Sequence, residues 1–183
     1  MKSIAVYCGA SNGARPLYAD AARQLARALV DHNIALVYGG GKVGLMGVIA
    51  DEVLRLGGEA TGVIPRALVE REVGHAGLTR LFVVKDMHER KAMMAELSEG
   101  FIAMPGGMGT LEELFEMITW AQLGIHAKPI GLFNVDGFYD GLMAFVAHQV
   151  QEEFVRPAHA ALLHIDADAE ALVHKLRAPS VAG

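Results

Sequence analysis

The chain is 183 residues long, 52% apolar and 20% charged, with a formal net charge of −5 at pH 7. That length and apolar share suit one globular domain with a sizeable core, and the acidic balance argues against broad nucleic-acid binding while leaving room for a local basic patch around one phosphate. Cys8 is the only cysteine, which excludes an intrachain disulfide, and the apolar segment ahead of Gly9 is too short for a signal peptide or membrane span, so a cytoplasmic protein is expected.

In chain order, short β-branched or apolar runs alternate with helical patterns. Strands are predicted over residues 4–8, 35–38, 60–64, 80–84, 100–104 and 129–133. Helices are predicted over 17–31, 45–56, 88–99, 111–123 and 138–153, with a closing helix over 168–176. This alternation is the signature of an α/β fold with an open parallel sheet and helices on both faces. Residues 1–177 read as one domain and 178–183 as a loose tail.

Three glycine-rich segments fall where strands are predicted to end. They are Cys8-Gly9-Ala10-Ser11-Asn12-Gly13, the block from Gly39 to Gly47, and Pro105-Gly106-Gly107-Met108-Gly109-Thr110. In an open parallel sheet, ligands bind beyond the carboxyl ends of the strands, so separated loops can converge on one site. Glycine lets bare backbone N–H groups approach an anion, and the N-terminus of the following helix adds unsatisfied donors and the positive end of its dipole. The first loop lacks G-x-G-x-x-G and no loop ends in G-K-[ST], so NAD binding and P-loop ATP hydrolysis lose ground.

Two charged residues stand beside these loops. On a helix through Asp86-Met87-His88-Glu89-Arg90-Lys91, Arg90 shares a face with Met87, Met94 and Leu97, and an arginine on an apolar face calls for an anionic partner. Its stem covering the core while its head reaches solvent or pairs with a glutamate is the alternative. Lys91 points elsewhere and reads as a solvated charge. Glu113 lies within a turn of the third loop. Thr110-Leu111-Glu112-Glu113 is also a T-x-x-E pattern, in which Glu113 would only return to the Thr110 backbone as a capping box. Glu112 and Glu116, four apart, form an exposed face.

Pro-Gly-Gly-x-Gly-Thr-x-x-Glu at Pro105 to Glu113, with Arg90-Lys91 upstream, resembles the Lonely Guy family of cytokinin riboside 5′-monophosphate phosphoribohydrolases. Cys8-Gly9-Ala10-Ser11, the Gly39 to Gly47 block and Asp86 to Lys91 carry the resemblance along nearly the whole chain. Proteins of this family have often been labelled lysine decarboxylases, but no feature here marks a pyridoxal phosphate site. The resemblance implies a Rossmann-like homodimer that hydrolyses the N-glycosidic bond of a nucleoside 5′-monophosphate such as AMP or an N6-substituted AMP. It implies Arg90 and Glu113 as the catalytic pair. It implies substrate contacts from Glu72, Lys91, Gly106, Gly107, Met108, Gly109, Thr110, Leu111, Glu112 and Thr119, of which Gly107 to Thr110 hold the phosphate. No cofactor or metal is required.

The chemistry is coherent, because breaking an N-glycosidic bond builds oxocarbenium character on the ribose, and an ionised Glu113 can stabilise that charge and orient or deprotonate water. Arg90 can hold the phosphate or ribose and fix Glu113. Cys8 reads as a small buried hydrophobe and the methionines as core filler or base-pocket lining. Trp120 reads as a residue that packs a core or dimer face. None of the eight histidines forms a helical ligand pair, so a metal site is not expected. The competing reading is a non-catalytic carrier of a nucleotide or phosphorylated cofactor of the molybdopterin type, which the same fold and loop would serve. A DNA-processing module is disfavoured by the acidic charge.

Overall fold

The computed structural model describes residues 1–69 and 74–178. The elements run β1 (Ser3–Tyr7), α1 (Leu17–Asp31), β2 (Ala35–Tyr38), α2 (Gly44–Arg55), β3 (Ala60–Pro65), β4 (Arg80–Val84), α3 (Met87–Glu96), β5 (Phe101–Ala103), α4 (Met108–Gln122), β6 (Ile130–Phe133), α5 (Asp140–Gln151), α6 (Pro157–Ala160), β7 (Leu163–Asp166) and α7 (Ala169–Arg177). Seven strands form one sheet in the order β4-β3-β2-β1-β5-β6-β7, and every pair is parallel. The Rossmann-like α/β expectation is therefore met. Among the described residues no helix is long and apolar enough to cross a membrane. Of the tail expected over residues 178–183, only Ala178 is among the described residues.

The sheet is covered on both faces, and its central strand shows how the sequence achieves this. Along β1, Ile4 and Val6 enter a core shared with Leu25, Leu29, Ile49 and Leu172, whereas Ala5 and Tyr7 enter one shared with Met94, Leu114 and Met117. Successive side chains on a strand point to opposite faces, so one continuous apolar run feeds both cores. Helices α1, α2 and α7 supply the first core, and α3 and α4 the second.

Strand order reverses between β1 and β5, which pair through Ala5↔Phe101 and Tyr7↔Ala103. The chain winds outward from β1 through β2, β3 and β4, then restarts at β5 on the other side. The loops after these two strands splay apart to enter helices on opposite faces, and the crevice they leave is the natural ligand site of such a sheet. The Gly9 N–H donates to the Pro105 carbonyl at 3.1 Å, tying the loops together at the mouth of the crevice. Behind the second loop, the buried Tyr139 hydroxyl donates to the Met104 carbonyl at 2.5 Å.

Two departures from the predicted elements matter. The sequence reading omits β7, a four-residue strand whose Leu163 and Ile165 pair with Ile130 and Leu132 of β6. Helix α4 starts three residues earlier than predicted, with Gly107 as its N-cap and no side-chain cap hydrogen bond. Thr110 is therefore the third residue of the helix and not its cap, so the T-x-x-E capping box does not form.

Candidate active site

The three glycine segments meet, as expected, around a cavity of about 270 Å³ at the carboxyl edge of the sheet. The first contributes Cys8 and Ala10, the second Gly39 and Met46, and the third Gly107, Gly109 and Thr110. Gly44 locks the second segment onto the first. Its φ is +58°, and a Cβ there would sit 2.3 Å from the Ala10 carbonyl carbon, so only glycine fits. The Leu45 N–H then reaches the Gly9 carbonyl at 3.0 Å.

Helix α4 presents its bare N-terminus to this cavity. The Leu111 N–H is bonded to the Gly107 carbonyl at 3.3 Å, while the amides of Met108, Gly109 and Thr110 have no carbonyl one turn back within the helix. Asp86 and Asp168 cap α3 and α7, but no side chain caps α4. Neither Gly107 nor Gly109 is required by the fold: a Cβ at either would have no neighbour within 4 Å, and neither φ is positive. Gly109 lies within the helix, where glycine costs about 1 kcal/mol relative to alanine, so bare backbone there points to something outside the chain that must come close. Uncapped amides at the positive end of a helix dipole suit a phosphate.

Arg90 reaches the cavity from α3, whose start is fixed by a reciprocal cap that the sequence reading did not identify. The Asp86 carboxylate accepts from the Glu89 N–H at 3.0 Å, and the Glu89 carboxylate accepts from the Lys85 N–H at 2.7 Å. Arg90 follows as a cavity-lining residue with Met87 and Met94, so the predicted shared face exists; Leu97 does not line the cavity. Arg90 is 6% exposed, so the solvent-facing alternative for its head group does not hold. Its Nη1 donates to the Met87 thioether at 3.6 Å, and its Nε is buried with no hydrogen-bond partner among the described residues. Buried polar groups are rarely left unsatisfied, and a guanidinium with spare donors in a cavity is built for an incoming anion.

Glu113 enters from α4 and is 8% exposed, facing the same cavity as Arg90. Burial pushes the Tyr7 hydroxyl and the Cys8 thiol well up from their ordinary values, and the charge of Glu113 pushes both further in the same direction. A thiol held protonated is not a nucleophile, which leaves Cys8 as cavity wall. The rest of the wall is apolar, with Met46, Leu68, Met87 and Met94. Gly39, at the end of β2, is the functional residue that sequence reasoning did not single out. A Cβ on it would lie 1.8 Å from Arg90 Nη2, so the guanidinium occupies the space the missing side chain leaves.

The remaining predicted contacts are placed elsewhere in this chain. Gly106 borders a neighbouring cavity with Ser11 and Asn12. Met108 is 84% exposed, and Leu111 is half-buried against the second core. Lys91 is not solvated as the sequence suggests. It is buried and paired with Glu112, and its Nζ lies 3.2 Å from Glu116 Oε2. Glu112 is exposed apart from that pairing. The Thr119 hydroxyl donates to the Phe115 carbonyl at 2.7 Å on an exposed face of α4. Glu72 lies outside the described residues.

A family described as possible lysine decarboxylase matches residues 46–176. A probable cytokinin riboside 5′-monophosphate phosphoribohydrolase of Oryza sativa subsp. japonica is 51% identical over 175 residues, covering 96% of this chain and 77% of the relative. A cytokinin riboside 5′-monophosphate phosphoribohydrolase of Arabidopsis thaliana is 49% identical over 177 residues, covering 97% and 78%. Among solved structures, the Moco carrier protein from Chlamydomonas reinhardtii superposes with a TM-score of 0.69 at 20% identity, over 95% of this chain and 96% of that one. The molybdenum cofactor binding protein from Rippkaea orientalis gives 0.69 at 20%, over 94% and 93%. At that identity the likeness concerns the fold.

Proposed function

This chain belongs to the family described as possible lysine decarboxylase, and from that membership and its near-half identity to named phosphoribohydrolases we propose that it is a phosphoribohydrolase. It hydrolyses the N-glycosidic bond of a cytokinin-type or adenine nucleoside 5′-monophosphate and releases the free base and ribose 5-phosphate. The observation that carries the chemistry is that the buried Arg90 and Glu113 face one cavity beside the uncapped N-terminus of α4. A carrier needs the phosphate cradle alone, whereas a buried carboxylate opposite it equips the site for bond cleavage.

The 5′-phosphate lies against the amides of Gly107 to Thr110 and the spare donors of Arg90. Holding it there supplies binding energy remote from the reacting carbon, which favours nucleoside monophosphates over nucleosides. The methionine wall of Met46, Met87 and Met94 receives the base. Glu113 faces the ribose, offsets the positive charge that develops at C1′ and takes a proton from the attacking water. The water oxygen bonds to C1′, the C1′–N bond breaks, and the departing base nitrogen gains the proton. A buried thiol as the only cysteine suits a cytoplasmic protein.

The phosphate role of the loop has a direct test. Gly109→Ala is expected to raise thermal stability, because alanine is the better helix former by about 1 kcal/mol. The same change weakens nucleotide binding by placing a methyl group where a phosphate oxygen approaches. Thermal unfolding and AMP titration check both, and unchanged affinity would remove the loop from the phosphate site.

The assembly we propose is a homodimer. Small-molecule sites usually enclose on the order of 300–1,000 Å³, so the cavity of one protomer falls just below that range. Beside it, Met108 and Phe115 of α4 and Leu123 just past its end are exposed to solvent, at 84%, 39% and 70%. Exposed apolar side chains on one element mark an interaction surface, and the mates suited to this one are its own copies. Phe115→Glu is expected to shift the protein from dimer to monomer in sedimentation velocity; a wild type that already sediments as a monomer contradicts this assembly.

A further inference from the structure

Arg90 and Glu113 stand on different helices, and something must fix their separation. Lys91 follows Arg90 directly on α3, and Glu112 directly precedes Glu113 on α4. The Lys91 ammonium, on a side chain 7% exposed, pairs with Glu112 and lies 3.2 Å from Glu116 Oε2. Glu112 and Glu116 are one helical turn apart, so the lysine head is gripped along α4 from two successive turns.

Burial alone would lower the Lys91 ammonium, but its hydrogen bond to Glu112 and its ion pairing with Glu112 and Glu116 outweigh that effect, and it titrates above its ordinary range. A charge in this position is costly unless both partners stay in place, which makes the pairing sensitive to any slide of α3 along α4.

We infer that Lys91 is a positioning residue: by bridging Glu112 and Glu116 it sets the register of α3 against α4, and through it the distance and aim between Arg90 and Glu113. The inference rests on the reading of Arg90 and Glu113 as the working pair, and it gives the Arg-Lys and Glu-Glu dipeptides a common logic. In each, one residue faces the cavity and its neighbour in sequence fastens the helices together.

The experiment is steady-state base release from AMP and isopentenyl-AMP by wild type, Lys91→Met, Lys91→Arg, Glu116→Gln and the Lys91→Met/Glu116→Gln double variant, with thermal unfolding of each. A displaced catalytic group costs up to about 10²-fold in rate. Lys91→Met and Glu116→Gln are therefore expected to lower kcat by roughly 10- to 100-fold while KM stays near the wild-type value. Lys91→Arg, which can still span two carboxylates, retains most of the turnover, and the double variant is no worse than the poorer single one.

A raised KM in Lys91→Met with wild-type behaviour in Glu116→Gln would make Lys91 a substrate contact and overturn the assignment. Where Lys91→Met does not fold, Glu116→Gln decides alone, because that side chain is partly exposed: a lower kcat supports the clasp and unchanged kinetics refutes it. A wild type that releases no base from either nucleotide overturns the phosphoribohydrolase reading itself and this assignment with it, an outcome visible before any variant is compared.

Discussion

Glu113→Gln is expected to lower base release by about 10²- to 10⁴-fold, the range that a positioned acid–base group contributes. The substitution keeps the shape and removes the charge, so the oxocarbenium character at C1′ loses its counter-charge and water loses its base. On sequence alone the T-x-x-E pattern offers Glu113 a capping role, and glutamine also fills that role while lacking the charge. The register of α4 makes the cap moot: its N-cap is Gly107, Thr110 lies within the helix, and no side chain caps it. Chromatographic detection of adenine from AMP, alongside calorimetric AMP binding, separates the outcomes. Retained binding with lost turnover is the expected result. Equal turnover of variant and wild type would take Glu113 out of the chemistry, and a wild type that binds AMP without releasing base would favour a carrier.

Gly39→Ala is expected to reduce turnover by on the order of 10²-fold through displacement of a group it never touches covalently. The new Cβ would meet Arg90 Nη2 at 1.8 Å and the Met46 sulfur at 3.1 Å. Both are far ends of flexible side chains, so the backbone holds and the guanidinium leaves its place. The fold survives with a small change in melting temperature, and the loss is concentrated in kcat. Arg90→Lys shortens the same group and loses its planar fork, so combining it with Gly39→Ala should add little, because both remove one interaction. Kinetics and thermal unfolding of the two singles and the double check this. Wild-type turnover in Gly39→Ala would show that Arg90 acts from another position.

The close relatives and the solved folds bear on different questions. Phosphoribohydrolases at about half identity match nearly the whole of this chain, whereas the Moco carrier protein and the molybdenum cofactor binding protein at 20% share the fold. A parallel sheet with a glycine loop at its switch point is a general phosphate cradle. The difference in function therefore has to lie in which side chains face the cradle.

The sequence by itself determined the parallel sheet and the three glycine segments, and it singled out Arg90 and Glu113 as candidates. These features are local: apolar periodicity separates strand from helix within a few residues, and glycine is the one residue that leaves backbone uncovered. Only the tertiary structure decided the rest. β7 carries His164 and Asp166 among its four half-buried residues, so it lacks the continuous apolar run that marks β2 and β6, and its form rests on pairing with β6. The start of α4 follows from where β5 and its loop deliver the chain, not from the best capping residue nearby. Lys91 is buried because Glu112 and Glu116, more than twenty residues away in sequence, stand opposite it. Gly39 matters because Arg90 folds over it from another helix. A buried charge and a close approach are both properties of two partners, and one-dimensional spacing fixes only residues that share an element.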